Sequence, residues 1–218
     1  MALSLIGVYG GTFDPIHNGH VKVAKDALTL FAVDRLLLIP AAIPPHKRER
    51  TITDAHHRYA MVVLATEDEP RLEASLIEIE RPDLPYSVQT VARLKDQYEL
   101  ASTEIFFLIG ADSFAELHTW REPMKLIENC HLVVTTRPGY ELDLSATPAE
   151  WQRRIVDLRN DFIGGREYNE TKIFLTGLTW IDISATDIRD AVQTNRPIDK
   201  LVPPRVAKYI KKYRLYRK

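Results

Sequence analysis

Apolar residues fall along the chain in short blocks, and their spacing switches between continuous runs and helical stripes. Residues 3–9 form an apolar run ending at Gly10-Gly11, the pattern of a buried strand. Val21, Ala24, Leu28 and Phe31 recur at helical spacing and predict a helix over 20–31. A second run at 35–39 stops at Pro40, a helix follows over 53–66, and 72–79 reads as a strand or a pair of short ones. Residues 87–98 predict a third helix with Ser87 as its N-cap. A strand at 104–109 ends in Gly110, a short helix covers 122–128, and a strand at 131–135 ends at Arg137-Pro138-Gly139. A helix around 148–158, a strand at 172–175 and helices at 184–193 and 204–213 complete the pattern. The intervening segments 139–147 and 160–170 read as exposed loops.

Strands alternating with helices imply βαβ units joined by right-handed crossovers. The expected fold class is α/β, a doubly wound and mainly parallel sheet. It forms one domain over 1–218, with a small C-terminal helical appendage at about 184–218. In open sheets of this kind, ligands bind at the carboxyl ends of strands, near the point where strand order reverses. That directs attention to the end of the first strand.

Composition narrows the classes. The 218 residues are 45% apolar and 27% charged, enough for a core that needs no disulfide or metal to hold it. Lys and Arg number 29 against 30 Asp and Glu, a net charge of −1, which argues against partnership with nucleic acid or an anionic membrane. The single cysteine, Cys130, excludes an intrachain disulfide and a four-cysteine metal site, and it points to a reducing, cytoplasmic setting. No apolar stretch reaches the roughly 20 residues needed to span a bilayer, and the start lacks the basic segment of a signal peptide. From 205 to 218 there are seven Lys or Arg and no acid. Val206, Tyr209, Ile210 and Tyr213 make an apolar stripe there, so the tail reads as a packed amphipathic helix with a basic outer face.

Chemistry concentrates in the loop Gly10-Gly11-Thr12-Phe13-Asp14-Pro15-Ile16-His17-Asn18-Gly19-His20. Gly10 and Gly11 allow backbone N–H groups to approach a phosphate, and Thr12 adds a hydroxyl. His17 and His20 share one face of the opening turn of the next helix, whose N-terminus favours anions. Asp14-Pro15 reads as loop-shaping. Neither G-x-x-x-x-G-K-[ST] nor G-x-G-x-x-G is present. Far down the chain, Ser184-Ala185-Thr186-Asp187-Ile188-Arg189 opens another helix with a capping-box pattern. On the residues alone this is a cap with Arg189 on a solvated face; Arg189 is also suited to bidentate phosphate contact.

The first string resembles the H-x-G-H signature of the nucleotidylyltransferase superfamily, and its full form is similar to that of the bacterial nicotinate-mononucleotide adenylyltransferases. Segment 183–189 resembles the second signature of that family, Ile-Ser-Ser/Ala-Thr-x-Ile-Arg. The resemblance spans essentially the whole chain and implies a Rossmann-like fold. It implies that ATP is held by Gly10, Gly11, Thr12 and Phe13, by the strand-end segment of Gly110 and Asp112, by Arg137 near the adenosine, and by Ser184 and Thr186. It makes His17, His20, Lys47 (in Pro44-Pro45-His46-Lys47) and Arg189 the catalytic group. Tyr86, Ser87, Thr90 and Trp120 resemble the family's acceptor pocket, with Trp120 stacking on a pyridine ring and Ser87 and Thr90 near a carboxylate. Arg121 departs from the aromatic residue common after this tryptophan.

The implied partners are ATP and nicotinate mononucleotide, and the implied products deamido-NAD and pyrophosphate. Mg²⁺ is expected to arrive with the triphosphate, since no carboxylate cluster suggests a dedicated metal cage. A homo-oligomer is compatible with the chain. Two alternatives stay open on the sequence: a sister transferase with another acceptor, such as nicotinamide mononucleotide or phosphopantetheine, and a nucleotide-binding regulator without catalysis.

Overall fold

The computed structural model describes residues 5–42, 52–81, 86–136, 142–145, 147–159, 168–179 and 183–217. Seven strands run parallel in one sheet: β1 (Ile6–Gly11), β2 (Arg35–Pro40), β3 (Leu72–Ala74), β4 (Ile105–Gly110), β5 (His131–Thr136), β6 (Ile155–Leu158) and β7 (Ile173–Thr179). Their order is β3-β2-β1-β4-β5-β7-β6. The chain moves outward from β1 to β3, then returns to β4 on the other side of β1, so strand order reverses between β1 and β4. This is the Rossmann-like, doubly wound arrangement that the alternation predicts.

Period-two burial explains the two covered faces. Leu36, Leu38, Phe106, Leu108, Val133 and Phe174 face one side, where they meet α1 (Asn18–Leu30), α2 (Ala55–Thr66), α7 (Ala185–Gln193) and α8 (Pro204–Lys212). Ile6, Val8, Leu37, Ile39, Phe107, Ile109, Leu132 and Val134 face the other, against α3 (Ser87–Tyr98), α4 (Ala111–Ala115), α5 (Pro123–Asn129) and α6 (Ala149–Gln152). A fully buried aliphatic side chain of this kind contributes about 1.5–3 kcal/mol. The C-terminal helical part shares the first of these cores through Ile188, Ala191, Val202, Val206 and Ile210.

Three local expectations need correcting. Only Leu72–Ala74 of the expected 72–79 segment is strand, and residues after it turn back. The helix expected around 148–158 is one turn, α6, and the β-branched pair Ile155 and Val156 joins the sheet edge beside β7 instead. Ser87 is the first residue of α3, and the cap position belongs to Tyr86, whose side chain makes no capping bond. The short α4 and the 3₁₀ turn Leu117–Thr119 had no periodic signal of sufficient length.

His131 starts β5 with no exposed surface. Its Nδ1 accepts from the Lys172 amide at 2.9 Å, so its proton sits on Nε2, which donates to the Thr103 carbonyl at 3.2 Å. Burial lowers its pKa from 6.5 to about 4, only partly offset by the Thr103 bond. The neutral ring therefore supports the fold fully above pH 6.5 and loses that support as pH falls toward 4, by up to about 3 kcal/mol. An NMR titration of this imidazole is expected to show a midpoint near 4, and His131→Gln to remove this component from the pH dependence of unfolding.

Candidate active site

Gly10 and Gly11 are the last two residues of β1, paired with Ile39 and Pro40. The chain then turns sharply: Phe13 has a left-handed backbone, φ 48°, and the Asp14-Pro15 peptide is cis. The buried Phe13 ring lies edge-on to Tyr9 and to His20, with centroids 5.6 and 5.1 Å away. A Cβ on Gly11 would come within 3.0 Å of that ring, so glycine lets Phe13 fold back beneath the loop.

The loop delivers two stacked imidazoles. The rings of His17 and His20 lie 3.6 Å apart at an interplanar angle of 29°. His17 is the buried N-cap of α1, and His20 is half-buried one turn on. The His17 amide donates to Nδ1 of His20 at 3.3 Å. An accepting Nδ1 leaves the His20 proton on Nε2, so the ring presents a donor on its other edge. The helix start is less open than its sequence suggests, because the Asn18 amide donates to the Leu201 carbonyl at 3.0 Å.

The second signature meets the first. Ser184 caps α7, its hydroxyl accepting from the Thr186 amide at 3.1 Å. One turn on, Arg189 donates from Nη1 to the Asp14 carbonyl at 2.7 Å and from Nη2 to the Thr186 hydroxyl at 3.0 Å. The arginine of the distant helix thus rests on the loop that leads into the histidine pair. At the end of β4, Asp112 is exposed and its Oδ1 accepts from the Ser113 amide. A Cβ on Gly110 would lie 2.4 Å from that oxygen, so any side chain there would displace the carboxylate.

On the acceptor side, the Arg121 guanidinium sits 5.9 Å from the centre of the exposed Tyr86 ring, which brings the 86–90 and 117–121 segments together. Trp120 packs partly against the core of that face. Thr90 is buried, and its hydroxyl donates to Glu78 at 2.8 Å. Lys47 and Arg137 lie outside the described residues. Among the described residues, no three His, Cys, Asp or Glu side chains gather to hold a metal ion, and no helix is long and apolar enough to cross a membrane.

A residue that sequence reasoning missed organises the loops. Arg58 is 1% exposed. Its Nε donates to the Thr53 carbonyl at 2.9 Å, Nη1 to Thr12 at 2.8 Å, and Nη2 to Ala41 and Ala42 at 2.7 and 3.3 Å. Burial lowers its pKa, and the negative charge of Asp14 opposes that shift. The signal was present: Arg58 shares the buried face of α2 with Met61, Val62 and Thr66, where a charge is out of place. Glu78 is the second such group, pushed up to about 7 by burial against bonds from Thr90 and the Ala42 amide.

Arg58→Met leaves four carbonyls without this donor and is expected to cost about 3–5 kcal/mol in urea unfolding, with Arg58→Lys recovering only part. For Glu78 the protonated form is favoured in the fold, so its contribution is complete below pH 4.5 and lost as pH rises through 7. Relative to Glu78→Gln, the wild-type chain is expected to lose up to about 3 kcal/mol of unfolding free energy across that range.

The fold and this convergence define a nucleotidyltransferase. Residues 8–191 match the cytidylyltransferase-like family, and the chain belongs to that family. It is 38% identical over 213 residues to a "Probable nicotinate-nucleotide adenylyltransferase" of Thermoanaerobacter sp. (strain X514), covering 98% of this chain and 94% of the relative. A relative from Moorella thermoacetica with the same name is also 38% identical, with 97% and 91% covered. The fold is similar to that of Plasmodium falciparum nicotinic acid mononucleotide adenylyltransferase complexed with NaAD, at a TM-score of 0.70 and 18% identity, covering 98% of this chain and 97% of that one.

Proposed function

We propose that this chain is a nicotinate-nucleotide adenylyltransferase, transferring the adenylyl group of ATP to nicotinate mononucleotide and releasing deamido-NAD and pyrophosphate. The full-length relatives support the reaction. The observation that carries the site assignment is the seating of Arg189 on the Asp14 carbonyl, beside the loop that bears His17 and His20.

The acceptor's phosphate oxygen attacks the α-phosphorus of ATP in line, and the bond to the β-bridging oxygen breaks with pyrophosphate taking the electron pair. The attacking group is already an anion, so no base is needed and no covalent intermediate forms on the protein. The difficulty is repulsion between two anions, met by positioning and fixed positive or donor groups. His20, with its proton on Nε2, donates to a non-bridging α-phosphate oxygen, and His17 holds phosphate oxygens alongside it. Gly10, Gly11, Thr12 and Phe13 shape the phosphate cradle, and Ser184, Thr186 and Arg189 face the β- and γ-phosphates with Lys47. Gly110 and Asp112 accept the ribose, with Arg137 toward the adenosine. Tyr86, Ser87 and Trp120 receive the acceptor, while the Thr90 hydroxyl is spent on Glu78 rather than on the acceptor's carboxylate. Mg²⁺ would arrive with ATP as part of the substrate and would offset the charge of the triphosphate. The lone, buried Cys130 supports a cytoplasmic setting.

A pyrophosphate-release assay with ATP and a panel of acceptors tests this reading. Release is expected with nicotinate mononucleotide and not with phosphopantetheine; release only with nicotinamide mononucleotide would replace the acid acceptor by the amide. His20→Ala is expected to fold and to lower kcat by about 10²-fold or more, the scale of losing one preorganised donor.

A further inference from the structure

Tyr216 lies four residues beyond the end of α8 and outside the residues 8–191 that match the family. Its phenol donates to Oδ1 of Asp14 at 2.8 Å, a contact between residues 202 positions apart. Asp14 is 6% exposed and is held from two other directions. Its Oδ2 accepts from the Thr53 amide at 3.4 Å, and its carbonyl accepts from Arg189 Nη1 at 2.7 Å. The Tyr216 ring packs on the same core as α1 and α2. Its backbone is left-handed, φ 64°, a conformation that costs a non-glycine residue energy and persists where surrounding contacts demand it.

We propose that Tyr216 is a positioning residue for adenylyl transfer: by clamping the Asp14 carboxylate it sets the Asp14 carbonyl, and with it the angle at which the Arg189 guanidinium meets the triphosphate. The inference rests on the phosphate-binding role assigned to Arg189. A buried carboxylate needs donors to stay in one place, and the phenol supplies one from outside the loop. Arg189 spends Nη1 on the Asp14 carbonyl, so a rotation of Asp14 would swing its remaining N–H groups away from the phosphates. Tyr216 touches no reacting atom in this scheme; it acts through Asp14 and Arg189.

The test uses the full chain with Tyr216→Phe, Arg189→Ala and the double variant, measuring KM for ATP and for nicotinate mononucleotide, kcat and melting temperature. Tyr216→Phe keeps the packed ring and is expected to raise KM for ATP by about tenfold, the scale of losing a hydrogen bond to a charged group, with KM for the acceptor unchanged. In the Arg189→Ala background the same change is expected to have no further effect on KM for ATP. If Arg189→Ala raises KM for ATP and Tyr216→Phe does not, this inference fails and the role of Arg189 stands. If Arg189→Ala leaves KM for ATP unchanged, both fail. A Tyr216→Phe effect that persists undiminished without Arg189, or that moves both KM values together with the melting temperature, marks a purely structural contact and also overturns the inference.

Discussion

Arg58 brings a full positive charge to a place from which water is nearly excluded, and four backbone carbonyls from three chain segments are what make that tolerable. An isolated buried guanidinium would cost many kcal/mol; one that is fully bonded and opposed by the Asp14 charge does not. The constraint runs in both directions. The loops need the cation to satisfy their carbonyls, and the cation needs the loops in one arrangement. Thr12 follows β1, Ala41 and Ala42 follow β2, and Thr53 precedes α2. Thr12, Ala41, Ala42 and Thr53 are therefore tied to a single buried fork.

On this base the site manages charge with few groups. Adenylyl transfer brings together two anions, and the chain as a whole carries a net charge of −1, so no general field attracts them. In the function proposed above that task falls to local donors, the stacked imidazoles at the start of α1 and the guanidinium on α7. The sheet explains why these can meet. β1 and β4 flank the reversal of strand order, and α7 packs on the same core face as α1, so Arg189 reaches the Asp14 carbonyl in the loop between β1 and α1. With Nδ1 committed to the His17 amide, the His20 ring is held in one orientation, which a freely rotating ring would lack.

The strands and the two signature segments were legible because their information is local. Buried strands are continuous apolar runs, and an anion-binding turn needs glycine, hydroxyl and imidazole within about ten residues. The carboxyl-terminal half is less legible where local and tertiary preferences compete, as in 148–158, where pairing with β7 replaces most of the expected helix. Ser87 looked like a cap by residue type, but the backbone starts its helix one residue earlier. Tyr213, assigned to an apolar stripe, is 47% exposed, while Val206 and Ile210 of the same stripe are buried. Arg58 was legible in principle as a charge on an apolar face. Its partners were not, because carbonyls from residues 12, 41, 42 and 53 carry no side-chain signature.

The same distinction bears on how the site is assembled. Asp14 is a loop residue by sequence, yet its three anchors come from the amide of Thr53, the guanidinium of Arg189 and the phenol of Tyr216. None of these can form until α2, α7 and the segment beyond α8 have docked on the sheet, and such long-range contacts close late and at an entropic cost that local turns avoid. The geometry of the loop at Asp14 therefore depends on contacts that only the docked face supplies. A substitution far from the histidines, on the outer helices, can thus reshape the loop without touching it, because the loop's shape is a property of the whole face and of the buried Arg58 guanidinium beneath it.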